Sequence, residues 1–378
     1  MRLKNYIYLI FALLIPVLIY ALFQKGYKNK EANQIPVASN KNPVVLGVES
    51  KTDTLLTIVG VGDIMLGTNY PSKIYLPPNN QCLLDPVDSF LIQADVTFGN
   101  LEGTILSKGG TPKGCRDPSK CYVFRMPNSY VNCLVSAGFD FLSLANNHSG
   151  DFGSTGRNNT MRLLDSVDIK FAGLVSHPVS VFEKDGIKYG FCAFAPNSGT
   201  CDIRNIPKAQ QMIRDLDEKC DIIIVSFHGG AEGAKYQHVT RSGEKFYGEN
   251  RGNVYDFAHK MIDAGADMVF GHGPHVTRAI DIYKDRFIIY SLGNFCTYHR
   301  FNLSGPNGIA PIIELKVNNE GRFIKGKIIP TYQQGEGGPL IDPQKRVITK
   351  LQELTATDFP EAGVKIDDEG NITFNGKH

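Results

Sequence analysis

Five times along the chain a run of apolar, β-branched or aromatic residues stops at a small cluster of Asp, Asn, Glu or His. The runs read LTIVGVGD up to Asp63, DVTFGNLE up to Glu102, FDFLSLANNH up to His148, DIIIVSFH up to His228, and ADMVFGHGPH through His272 to His275. Each apolar stretch is short and bounded by turn residues, the pattern of a strand buried on both faces. Between these runs PNSYVNCLVSAG, TGRNNTMRLLDSV and NVYDFAHKMIDAG carry helical periodicity. Alternation of this kind predicts an α/β fold of layered, mixed β-sheets flanked by helices. Hairpins are expected at Asp185-Gly186, around Lys284-Asp285 and at Asn319-Glu320-Gly321, so antiparallel pairs join the sheets. Towards the C-terminus the pattern gives only a short helix over residues 345–354.

In open α/β sheets ligands bind outside the carboxyl ends of the strands, where loops converge on a rigid base. Five polar clusters at five strand ends therefore point to one shared site, although any one alone reads equally as a solvated loop or a cap. Four of the nine histidines, His148, His228, His272 and His275, fall in these clusters. Imidazole, carboxylate and Asn oxygens at one rim form a mixed N/O ligand set suited to Mn, Fe or Zn. One or two such ions would polarise a phosphoryl oxygen.

Neighbouring residues leave two readings each. Glu232 and Asp151 either orient a nearby His or face solvent as loop acids. Arg125 is either a bidentate clamp for a carboxylate or phosphate or a surface ion-pair partner. Asn294 either hydrogen-bonds within the site, as a substrate contact, or stabilises a turn.

Charge modifies this picture at the N-terminus. Residues 6–23 form an uncharged apolar stretch flanked by Arg2 and Lys4 on one side and Lys25, Lys28 and Lys30 on the other. The length just meets what a spanning helix needs, and a cleavage site is lacking because only Ala21 is small in Tyr20-Ala21-Leu22-Phe23. Residues 1–30 are therefore expected to be an uncleaved membrane anchor, and residues 31–52, rich in Pro, Asn and Ser, a linker. The remainder is slightly acidic, with no basic patch that advertises nucleic acid. Eight cysteines fit an oxidising compartment, and Cys115 with Cys121, in one irregular loop, is the pair expected to form a disulfide if any does.

Taken in order, VGDIMLG, GNLEGT, LANNHSGDFG, SFHGGAEG, FGHGPHV and YSLGNF resemble the bacterial capsule-synthesis CapA family, the poly-gamma-glutamate synthesis accessory proteins, over residues 55–298. That family in turn resembles calcineurin-like metallophosphoesterases. The resemblance implies metal ligands at Asp63, Glu102, Asn147, His228, His272 and His275, with His148 as general acid. Two departures from the phosphoesterase pattern, Asp63-Ile64-Met65 in place of Asp-x-His and a closing His pair spaced by two residues, leave one or two divalent ions as the expected complement.

The expected organisation is thus a domain over residues 53–330, with residues 331–378 as a C-terminal extension. The family resemblance implies a single-pass protein of the bacterial cell membrane, its domain on the extracytoplasmic side, assisting synthesis or export of an anionic polymer alongside membrane-bound synthase or export subunits. A metal-dependent phosphoesterase or other hydrolase acting on an envelope substrate, with His148 and Asp151 as its acid-base pair, is the alternative. A degenerate domain that binds polymer or a partner without turnover is the third.

Overall fold

The computed structural model describes residues 55–114 and 121–376. The expected anchor over 1–30, the linker and Cys115 lie outside the described residues. Among the described residues, no helix is long and apolar enough to cross a membrane.

Two sheets form the framework. The larger has ten strands, with Phe323–Tyr332, Ile309–Val317, Leu56–Met65, Val96–Leu101, Phe141–Ser143 and Lys170–Ala172 side by side. The smaller has six, running Thr277–Tyr283, Arg286–Leu292, Met268–His272, Ile222–His228, Ile187–Phe194 and Val179–Lys184. Leu56–Met65, Val96–Leu101 and Phe141–Ser143 are mutually parallel. So are Ile187–Phe194, Ile222–His228, Met268–His272 and Arg286–Leu292. Parallel pairing aligns the carboxyl ends within each set, and this brings the polar clusters of the sequence together. All three expected hairpins are present.

Strand side chains alternate between faces, and here both faces of each sheet are covered. Ile58, Phe98 and Phe141 of the larger sheet meet Phe191, Ile224, Phe270 and Ile289 of the smaller in a shared core. Their sequence neighbours Val59, Val61 and Leu142 point outward against helices Val131–Ser136 and Gly153–Ser166. On the far side, Val225 and Val269 pack under helices Ile206–Asp217 and Val254–Asp263. Truncating a core Phe such as Phe98 to Ala would cost about 3–5 kcal/mol. Gly60 permits the sheets to approach, since a Cβ there would lie 2.5 Å from the Phe270 ring.

Helix Ile206–Asp217 is absent from the sequence reading above, although its signals are local. Asn205 caps it by accepting from the Lys208 N–H, and Ala209, Ile213 and Leu216 form its buried stripe. The region after residue 331, expected to hold little beyond a helix, supplies more. Helix Arg346–Asp358 packs on strand Thr277–Tyr283, and the hairpin of Val364–Ile366 and Asn371–Phe374 adds two strands to the larger sheet.

A disulfide links Cys82 to Cys133, so the expectation that any pairing would be confined to Cys115 and Cys121 does not hold. Spacing in sequence hides it, because 51 residues separate two half-cystines that meet only when the loop before Val96–Leu101 folds over helix Val131–Ser136. Cys121 is also disulfide-bonded.

Candidate metal centre

Gly293 is where the chain passes between sheets. With φ of 68° it turns the end of Arg286–Leu292 into Asn294–Thr297, which pairs in parallel with the end of Leu56–Met65 and sets Asn294 opposite Asp63. The Asp63 N–H donates to the Gly293 carbonyl at 2.9 Å. A Cβ on Gly62 would lie only 2.1 Å from that oxygen, so no larger residue fits there without movement.

Asp63 is fully buried. Its Oδ1 accepts from Asn100 Nδ2 at 2.8 Å, and its Oδ2 lies 3.0 Å from His275 Nδ1. Glu102 follows strand Val96–Leu101, its backbone fixed by an N–H donated to the Ile64 carbonyl. His275 Nε2 is 3.6 Å from Glu102 Oε1, and ligand atoms of Asp63, Glu102 and His275 all lie within 4.8 Å of one another. The His228 ring sits beside them, with its centroid 6.1 Å from that of His275.

Buried polar groups ordinarily find hydrogen-bond partners. Here both carboxylate oxygens of Glu102, both ring nitrogens of His228 and Oδ1 of Asn147 are buried without one. Burial drives the Glu102 pKa well above the usual carboxylate range, against the opposing pull of His275. Burial likewise drives His228 well below the ordinary imidazole value, despite Asp63. Asp63 also suffers burial, but its hydrogen bond to His275 and the surrounding histidines bring it down to about 2. Burial works against a charged His275, yet Glu102 and Asp63 outweigh it and raise its pKa to about 10. Carboxylate oxygens, neutral imidazole nitrogens and an amide oxygen lacking partners are the donor set of a mixed N/O divalent ion, so these residues fit the expected metal.

His148 and Asp151 form a second unit. His148 Nδ1 lies 2.8 Å from Asp151 Oδ2, which also accepts from the Phe124 N–H at 2.6 Å. Lys113, which the sequence patterns do not single out, pairs with Asp151 Oδ1 at 2.5 Å, lies 3.3 Å from His148 Nδ1 and donates to the Asn147 carbonyl. Burial lowers the His148 pKa, with Asp151 opposing. The Phe124 ring lies 4.3 Å from that of His148 and stacks on Phe301, which meets the edge of His275. Two aromatic rings thus join the His148 unit to the Asp63 trio.

The other expected residues have protein partners of their own. His272 has Nδ1 3.3 Å from Ser226 Oγ and Nε2 3.2 Å from the Val61 carbonyl, so it ties one sheet to the other. Asn294 steadies His275, with Oδ1 3.1 Å from Nδ1 and Nδ2 donating to the His275 and Asn307 carbonyls. Arg125 donates to Asn69 Oδ1 and the Gly109 carbonyl and lies over the Phe152 ring at 4.9 Å. Asn100 and Asn146, which the sequence patterns do not mark, hold the floor of the site. Asn146 donates to Asn100 Oδ1 and the Leu101 carbonyl and accepts from the His148 N–H.

The chain is similar to known proteins over most of its length. The family described as "Bacterial capsule synthesis protein PGA_cap" matches residues 57–299. The "Capsule biosynthesis protein CapA" of Bacillus anthracis is 24% identical, across 89% of this chain and 82% of that protein. The "PGA biosynthesis protein CapA" of Bacillus subtilis is 26% identical, across 88% and 85%. Among solved structures, a putative 5'-nucleotidase from Staphylococcus aureus superposes with a TM-score of 0.45 and 16% identity, over 79% of this chain and 58% of that one. With the family signature covering well over half of its length, this chain belongs to the bacterial capsule synthesis (PGA_cap) family.

Proposed function

We propose that the protein assists synthesis or export of an anionic extracellular polymer through a metal-dependent hydrolytic site, and that residues 6–23 hold the domain on the outer side of the bacterial cell membrane. Membership of the capsule family and the names of the two Bacillus relatives support the polymer role. The apolar stretch between basic flanks supports the anchor. One observation carries the hydrolytic reading: the partnerless buried atoms of Glu102 and His228 lie beside the point where Asp63 and His275 already meet.

Asp63, Glu102, Asn147, His228 and His275 would hold the metal, and His272 would not, because both its ring nitrogens have internal partners. A divalent ion held there supplies Lewis acidity toward a phosphoryl or carbonyl oxygen. Asp151 fixes His148 with the Nδ1 proton directed to its own carboxylate, leaving Nε2 to accept a proton and return it to a leaving group. Phe124 and Phe301 flank the two histidines and limit water on that side.

A non-catalytic, polymer-binding reading has one observation in its favour. Asp63 and His275 satisfy each other's charge without an ion. Both readings meet in a deletion strain complemented with wild type, Asp63→Ala or His148→Ala. The proposal expects extracellular polymer to return with wild type and not with either variant. Polymer restored by both variants would leave only the binding role, and polymer unchanged by the deletion would remove the polymer role.

A further inference from the structure

Arg251 is a buried guanidinium with no place in the site described so far. It is 6% exposed, and Nη1 is buried without any hydrogen-bond partner. Its Nη2 lies 2.9 Å from Glu232 Oε1 and its Nε 3.3 Å from Glu249 Oε2, both ion contacts without hydrogen-bonding geometry. Arginine carries five donors in a fixed planar fork, and a buried one with donors unused is uncommon.

Its main chain is clamped against the strand end that carries His228. The Gly230 N–H donates to the Arg251 carbonyl at 3.0 Å, and the Arg251 N–H donates to the Glu244 carbonyl at 2.9 Å. A Cβ on Gly229 would lie 3.0 Å from the Arg251 carbonyl oxygen, so a larger residue after His228 would press on this contact. The same short loop is laced to the His275 turn, with Gly229 donating to the His272 carbonyl and Gly233 to that of Pro274. Glu232 lies between those two anchors. The charge of Arg251 reaches His228, and that of Glu232 reaches Glu102 and His275.

We propose that Arg251, held in place by Glu232, is the residue of this site that binds the substrate's oxyanion, a phosphoryl or carboxylate group presented beside the Asp63, Glu102, His228 and His275 cluster. This rests on the metal-site reading of the preceding subsection. Glu232 neutralises the guanidinium through Nη2 and leaves Nη1 to donate a charge-assisted bond to the ligand, in a direction fixed by the planar fork. Lysine cannot reproduce that fork.

The test uses the full-length chain in detergent, with and without added Mn, titrated calorimetrically with inorganic phosphate and separately with glutarate. Elemental analysis and a melting curve are taken on the same samples. Arg251→Met should keep the metal and remain folded at the assay temperature, melting lower than wild type because Glu232 loses its partner, yet bind the preferred anion about ten- to a hundredfold more weakly, the worth of a hydrogen bond to a charged group. Arg251→Lys, which keeps the charge and guards against misfolding of the Met variant, should recover only part of the loss. Added guanidinium should restore binding to Arg251→Met, which a purely structural role would not allow. Preference for phosphate identifies a phosphoryl group, and preference for glutarate a carboxylate. Wild-type affinity for both anions in Arg251→Met, or no binding of either by wild type, overturns the proposal. A wild type that holds no metal but binds an anion through Arg251 would sink the metal reading and leave this one standing.

Discussion

Asp63 and His275 come from strand ends of different sheets and meet at 3.0 Å, where an incoming cation would have to part them. A His whose folded pKa is raised contributes stability that is complete below its unfolded value and lost as the pH rises through about 10. The metal-free protein should therefore lose stability on the alkaline side, and metal must displace the same proton. Apparent affinity then climbs with pH, and Mn binding near pH 7 should release about one proton, more if Glu102 gives up another. Calorimetry in buffers of differing ionisation enthalpy counts them, and a count of zero would contradict the ligand role of His275.

His148 should separate from the metal ligands on mutation. Its Nδ1 is held by Asp151 and its backbone N–H by Asn146, so replacing the ring leaves the Asp63 trio intact. His148→Ala should retain the metal of wild type while any phosphodiester hydrolysis falls by roughly 10²- to 10⁴-fold. Loss of metal in step with rate would make His148 a ligand instead.

Arg278 is fully buried and held on two sides by Glu244, with Nη1 to Oε1 and Nη2 to Oε2 both at 2.9 Å, while Nε donates to the Tyr236 carbonyl. Glu244 also receives the Ala231 N–H, so the pair fastens the loop that follows His228. Removing one partner from a buried pair strands the other charge. Glu244→Ala should destabilise the fold by about 3–5 kcal/mol, and the Glu244→Met, Arg278→Met double replacement by clearly less. Urea unfolding measures both, and a single-variant loss under about 1 kcal/mol would show that the pair holds nothing together.

Much of this was legible in sequence because buried strands advertise themselves as short apolar runs, and the residue that ends each run lies at the rim. Asp63, Glu102, His148, His228 and His275 are marked in that way, each at or just past the end of such a run. His272 shares the same signal, yet it is still in strand register and turns between the sheets to Val61, whereas His275 lies past the Gly273-Pro274 turn with φ of 56°. Periodicity does not distinguish these fates. Lys113 and Arg251 come from loops without pattern, and Asn100 is hidden inside an apolar strand. Arg125 and Asn294 have side chains whose chemistry suits a ligand, but packing against Phe152 and His275 engages them first. The Cys82–Cys133 link and the strands after residue 363 depend on contacts between distant segments, which local pattern does not carry.

Metal content of the full-length protein is the most direct test of the central claim. Wild type incubated with Mn, Fe or Zn, passed through a desalting column and subjected to elemental analysis, should retain one or two divalent ions per chain. Asp63→Ala, Glu102→Ala and His228→Ala should each lower that number while folding as wild type does, and His272→Ala should not lower it by loss of a ligand. Wild type that emerges metal-free from all three incubations, or ligand variants that keep full occupancy, would contradict a metal centre at Asp63, Glu102, His228 and His275.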